Sequence, residues 1–122
     1  MKLILIVDDS RIMRNIVKKT ITELKIPCQF LEAENGQKAY QLLETNKISL
    51  VLLDWNMPEM DGMQFLKKVR SMPNYKDLPI IMVTSEAAKY SIVEALQNGA
   101  TDYIVKPIRD KVFMEKLADI NF

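Results

Sequence analysis

The sequence predicts an α/β fold: a single parallel sheet of five strands with helices on both faces. Two observations carry this. Short apolar runs alternate with stretches of helical periodicity, and they do so five times along the chain. Within those runs polarity hardly alternates, so the strands are covered on both faces, the mark of a parallel sheet. Parallel neighbours need crossover connections, and right-handed crossovers leave few arrangements.

The first run is residues 3–7 (LILIV). Residues 11–24 follow at helical spacing, with Ile12, Met13, Ile16, Val17, Thr20, Ile21 and Leu24 on one side. Ser10 or Asp9 caps this helix, and Pro27 forbids its continuation. Residues 29–33 are the second strand, and Asn35 with Gly36 is a turn signal. The next helix turns Ala39, Leu42 and Leu43 inward.

Residues 49–53 (SLVLL) are a third buried strand that ends at Asp54. A loop over 55–61 carries Pro58 and leads to Gly62, after which Met63, Phe65, Leu66 and Val69 mark an inward helix face. Residues 79–83 (PIIMV) are the fourth strand. Ile92, Ala95, Leu96 and Gly99 follow helical spacing, with Gly99 placed as a stop. Residues 103–105 make a short fifth strand, and Val112, Phe113, Leu117 and Ile120 define the last helix.

The chain of 122 residues suits one domain over 1–122, with no linker or tandem repeat. A net charge of +1 gives no reason to expect a nucleic-acid or membrane binder. Lys18 and Lys19, like Lys67, Lys68 and Arg70, read as solvated helix faces. Met57, Met60, Met63 and Met72 read as core filling or as an adaptable contact surface. Cys28 is the single cysteine, so an internal disulfide and a cysteine-built zinc site are both excluded. There is no histidine, which removes Ser–His–Asp and Cys–His chemistry and imidazole ligation. The apolar start is too short for a signal peptide or a membrane span, which points to the cytoplasm.

In such sheets ligands sit beyond the carboxyl ends of the strands. There the sequence places Asp8 and Asp9, Asp54, Thr84 and Lys106. Taken singly, each has a structural explanation as a cap, a turn residue, a strand residue or a surface lysine. Together they place three carboxylates at one edge, at a repulsion of about 1 kcal/mol per close pair in water and more near protein. A hard divalent cation and a lysine offset that. Magnesium takes oxygen ligands, so Asp9 and Asp54 bind it directly and Asp8 acts through water. The residues after the first strand, DDSRIMR, contain no glycine-rich phosphate loop. A carboxylate is a competent nucleophile toward phosphorus, so Asp54 would attack, with Lys106 and Thr84 on phosphoryl oxygens.

These motifs resemble a family. DD at 8–9, LDWNMPEMDG at 53–62, TSEA at 84–87 and GATDYIVKP at 99–107 are together similar to the response-regulator receiver domains of two-component signalling. The likeness covers essentially the whole chain, and the DWNMP segment resembles the stand-alone chemotaxis regulators most. It implies a (βα)5 flavodoxin-like fold of strand order 2-1-3-4-5, with Asp54 as phosphoacceptor. It implies Mg2+, or Mn2+, on Asp8, Asp9, Asp54 and the carbonyl of Asn56, and a cis Lys106–Pro107 bond. It also implies Thr84 and Tyr103 as a switch pair that alters the face of helix four, strand five and helix five. Asn56 and Glu86 would tune dephosphorylation. Ile108 departs from the aromatic residue that often follows KP, and Ala87 and Ala88 replace glycines of some relatives.

The implied partners are a sensor histidine kinase or phosphotransfer protein and a downstream protein such as the flagellar motor switch. The chain is expected to be a monomer unless phosphorylated. With no output domain after the last helix, a free regulator is expected; a phosphorelay intermediate and a receiver cut from a longer regulator are the alternatives. An aspartyl-phosphate hydrolase of the haloacid-dehalogenase type ranks below these. It needs an acid two residues after the nucleophile, and Asn56 stands there. A degenerate scaffold ranks below as well, because the acid set is intact.

Overall fold

In the computed structural model the apolar runs pair as parallel strands of one five-stranded sheet, in the order β2-β1-β3-β4-β5. Residues 2–120 are described, so the sequence bounds 1–122 run past them at Met1, Asn121 and Phe122, which lie outside the described residues. The order along the chain is β1 (Lys2–Val7), α1 (Arg11–Glu23), β2 (Cys28–Ala33), α2 (Gly36–Thr45), β3 (Leu50–Leu53), α3 (Gly62–Arg70), a 3-10 turn (Pro73–Tyr75), β4 (Ile80–Thr84), α4 (Lys89–Gln97), β5 (Asp102–Val105) and α5 (Asp110–Ala118).

Successive residues of a strand point to opposite faces, and both faces are apolar here. Ile4, Ile6, Leu52, Ile81 and Ile104 pack against Val17 and Ile21 of α1 and Phe113 and Leu117 of α5. Leu5, Val7, Val51, Leu53 and Met82 pack against Ala39, Leu43, Leu66 and Ala95 of α2, α3 and α4. Each fully buried Leu, Ile or Phe contributes about 1.5–3 kcal/mol relative to exposure. The central strands β3 and β4 are buried at every residue, so they fix the frame on which the strand-end groups sit.

Helix starts are set by local chemistry. Ser10, rather than Asp9, caps α1: its hydroxyl accepts from the Met13 N–H at 3.2 Å. Asn35 caps α2 through the Lys38 N–H at 2.8 Å. Asp61 and Gln64 form a reciprocal capping box at α3. After α4 the chain leaves through Asn98 and Gly99, whose φ of 105° favours glycine.

Four apolar positions that share the helical spacing are left uncovered. Ile12 is 74% exposed and Ile16 42%, while Val17, Thr20 and Ile21 carry the buried face of α1. Leu96 and Val112 are exposed as well. Periodicity gives the direction a side chain takes from the helix axis; coverage depends on where the neighbouring element ends. Lys18 is not a free solvated lysine either, since it pairs with Glu32 at 2.9 Å. Among the methionines, Met63 is buried, and Met57 and Met60 are partly buried against the same cluster.

Candidate functional site

Four strand ends bring the predicted site residues together. Asp8 follows β1 and extends its ladder, its N–H donating to the Ala33 carbonyl at 3.0 Å. Asp54 follows β3, its N–H donating to the Val7 carbonyl at 2.9 Å. Thr84 is the last residue of β4 and fully buried. Lys106 follows β5, its N–H donating to the Thr84 carbonyl at 2.9 Å. The Lys106–Pro107 peptide is cis.

Lys106 Nζ lies 2.9 Å from Asp8 Oδ2 and 3.5 Å from Asp54 Oδ2. Asp8 and Asp54 are nearly buried, whereas Asp9 is exposed. Asp8, Asp9 and Asp54 each offer a carboxylate oxygen within 4.8 Å of the others. One lysine cannot neutralise three carboxylates. An all-oxygen donor set in a chain without histidine suits a hard divalent cation, so the cluster fits a divalent metal.

Asp54 is held by more than Lys106. Its Oδ1 accepts from the Trp55 N–H at 2.8 Å. Burial pushes its carboxyl above the ordinary aspartate value. The Thr84 hydroxyl pulls it back, the Asp8 charge adds to the rise, and Lys106 and the Trp55 N–H oppose it. The backbone behind it is crowded: a Cβ on Gly62 would stand 2.2 Å from the Asp54 carbonyl oxygen. Glycine is required there so that the start of α3 can approach the Asp54 peptide.

Glu86 links the two switch candidates. Its N–H donates to the Thr84 hydroxyl at 3.3 Å, and its carbonyl accepts from the Tyr103 hydroxyl at 2.6 Å. The Tyr103 ring is turned inward, 7% exposed. Its phenol is pushed up to about 12 by burial, with the Glu86 and Asp54 charges adding. The Glu86 carboxylate itself turns toward α4, accepting from the Ala88 N–H at 3.4 Å and the Ser91 hydroxyl at 3.3 Å. Asn56 lies exposed on the loop beyond Asp54.

Sequence reasoning missed Arg14. Its guanidinium reaches the Asp8 carbonyl at 2.6 Å and Glu32 at 2.9 Å. Nothing in the local spacing separates Arg14 from the exposed Arg11; the signal lies in a pairing across 18 residues, which periodicity does not reveal.

Comparison with known proteins agrees with this geometry. The family described as Response regulator receiver domain matches residues 4–118. The chain is 49% identical over 118 residues to a chemotaxis protein CheY homolog of Campylobacter jejuni, covering 96% of this chain and 90% of that protein. It is 48% identical over 115 residues to the chemotaxis protein CheY1 of Helicobacter pylori, covering 93% and 92%. The solved structure of Vibrio cholerae chemotaxis protein CheY4 superposes with a TM-score of 0.88 at 30% identity, covering 99% of both chains. Among the described residues no helix is long and apolar enough to cross a membrane. An acid cluster at the carboxyl edge of a 2-1-3-4-5 sheet, a lysine shared between two of its members and a match over nearly the whole chain lead to one conclusion: this chain belongs to the response-regulator receiver domain family.

Proposed function

We propose that the chain is a two-component response regulator whose Asp54 accepts a phosphoryl group from a histidine kinase or phosphotransfer protein. The observation that carries this reading is Lys106 standing between Asp8 and Asp54 beside a third carboxylate. A carboxylate oxygen of Asp54 bonds to phosphorus as the donor's P–N bond breaks, and the departing imidazole keeps the electron pair and takes up a proton. Lys106 and Thr84 hold phosphoryl oxygens. Asp8, Asp9, Asp54 and the Asn56 carbonyl would hold Mg2+, with Mn2+ as a substitute of similar ligand preference. When bound there, such a cation would supply charge shielding between the carboxylates and a phosphoryl group.

Asp54 is consumed and reset once per signal. The chain therefore catalyses only its own phosphorylation and dephosphorylation and is no enzyme toward a separate substrate. Asn56 and Glu86 tune the reset. Thr84 and Tyr103 pass the change to the face of α4, β5 and α5, where the exposed Tyr90, Val105 and Val112 offer apolar contact. The chemotaxis names of relatives nearly half identical support a chemotaxis role, with a cytoplasmic target such as the flagellar motor switch. No direct contact with nucleic acid or membrane is needed, and the free chain is a monomer until phosphorylated.

Trp55 abuts the acceptor and is the only tryptophan, so its fluorescence tests the reading. It should respond to Mg2+ and then to a small-molecule phosphodonor, and Asp54→Asn should abolish the second response. A folded protein that answers neither would sink the proposal. A phosphorylation-dependent pull-down, wild type against Asp54→Asn, identifies the target.

A further inference from the structure

We propose that Arg14 is a positioning residue for the divalent-cation site, a clamp that sets the peptide carrying Asp8 and Asp9 and so fixes the cation affinity. The proposal rests on the reading of the acid cluster as a magnesium site.

The geometry is that of a fork. Arg14 Nε donates to Glu32 Oε1 of β2 at 2.9 Å, and a terminal nitrogen of the same planar group donates to the Asp8 carbonyl at 2.6 Å. The Arg14 side chain is only 13% exposed. Lys18, one turn further along α1, takes the other Glu32 oxygen at 2.9 Å. Arg14 is thus aimed by its own bond to Glu32 Oε1, and Lys18 occupies the separate oxygen.

The Asp8 carbonyl belongs to the peptide that joins Asp8 to Asp9. Rotation of that peptide moves both carboxylates relative to Asp54. The Asp8 side chain is already set by the Ser10 N–H at 2.8 Å and by Lys106. Arg14 adds the restraint those groups do not supply, on the carbonyl. A rigid guanidinium serves two acceptors at fixed angles, which the compact head of a lysine does not. Outer groups that orient metal ligands commonly matter as much as this.

Arg14 also brings a positive charge toward a cation site. Simple electrostatics then predicts tighter Mg2+ binding when that charge is removed. The clamp predicts the opposite, because Glu32 already offsets the charge and the geometry is what is lost. The two accounts differ in sign.

The test is a Mg2+ titration followed by Trp55 fluorescence, with thermal melts run alongside. Arg14→Gln should bind Mg2+ about ten-fold more weakly than wild type. Arg14→Lys keeps the charge and the pairing with Glu32, so it guards against a variant that fails to fold; it should bind about three-fold more weakly. Lys18→Met removes the other Glu32 partner but leaves the Asp8 carbonyl bonded. It should lower the melting temperature while leaving the Mg2+ affinity within about two-fold. Tighter binding in Arg14→Gln, unchanged binding in Arg14→Lys, or an equal loss in Lys18→Met would each overturn the clamp. No response to Mg2+ in the wild type would overturn the magnesium reading, and the clamp with it.

Discussion

Lys106 Nζ is shared between two carboxylates, 2.9 Å from Asp8 and 3.5 Å from Asp54. The lysine and the three aspartates come from β1, β3 and β5, so the site exists only once the sheet has formed. In Lys106→Met a cation leaves a cluster of anions. Mg2+ binding measured through Trp55 should tighten severalfold, since the metal no longer competes with the ammonium. Formation of the proposed acyl phosphate from a small donor should slow by about a hundred-fold, because the ammonium that would stabilise the negative phosphoryl oxygens is lost. A variant that phosphorylates at the wild-type rate would show Lys106 to be structural.

Asp54→Asn keeps the shape of the side chain and removes one of three clustered negative charges. Burial and the neighbouring Asp8 already disfavour the charged form of Asp54. Without Mg2+ the variant should therefore be more stable than wild type, by about 1 kcal/mol in urea unfolding. In saturating Mg2+ the gain should shrink or reverse, as binding to the native state stabilises the wild type.

Gly62→Ala is expected to be severe. The new Cβ would meet the Asp54 carbonyl oxygen at 2.2 Å and the Trp55 Cα at 2.8 Å, both backbone. Backbone cannot step aside as a flexible side chain does, so a loss of about 3 kcal/mol is expected in urea unfolding. A substitution that left both stability and the Trp55 spectrum unchanged would contradict the close approach.

Tyr103→Phe removes the bond to the Glu86 carbonyl and should cost about 1 kcal/mol. It also makes a signed prediction in pH. The Tyr103 phenol is pushed up to about 12 by burial, whereas an unfolded tyrosine ionises at about 10. The unfolded chain therefore loses its proton first. The contribution of Tyr103 to stability is complete below about 10 and is lost as the pH rises toward the folded value. Wild type should lose stability across that window more steeply than Tyr103→Phe, and an ultraviolet titration of the variant should lack the latest-ionising phenol.

Much of this protein is legible in the chain itself. The five apolar runs, a cap at Ser10 or Asp9, the turn at Asn35 and Gly36 and the stop at Gly99 are local, and a local pattern suffices to read them, whereas the choice of Ser10 and the caps at Asn35 and Asp61 came with the structure. The site residues were legible as interruptions at strand ends, because a buried strand gives no reason for an aspartate there. Ile12 and Ile16 misled, since spacing alone cannot tell that α1 leaves them uncovered.

By itself, then, the sequence determined the strands, the helices and which polar groups stand at the sheet edge, because these follow from periodicity and from short-range hydrogen bonding. Only the tertiary structure decided that Lys106 serves both Asp8 and Asp54, that the Glu86 carbonyl takes the Tyr103 hydroxyl, and that Arg14 reaches the Asp8 carbonyl. The reason is physical. Lys106 and Asp8 are 98 residues apart and Tyr103 and Glu86 are 17 apart. Their meeting depends on strand order and on the direction in which each edge group leaves its strand, which no local rule specifies.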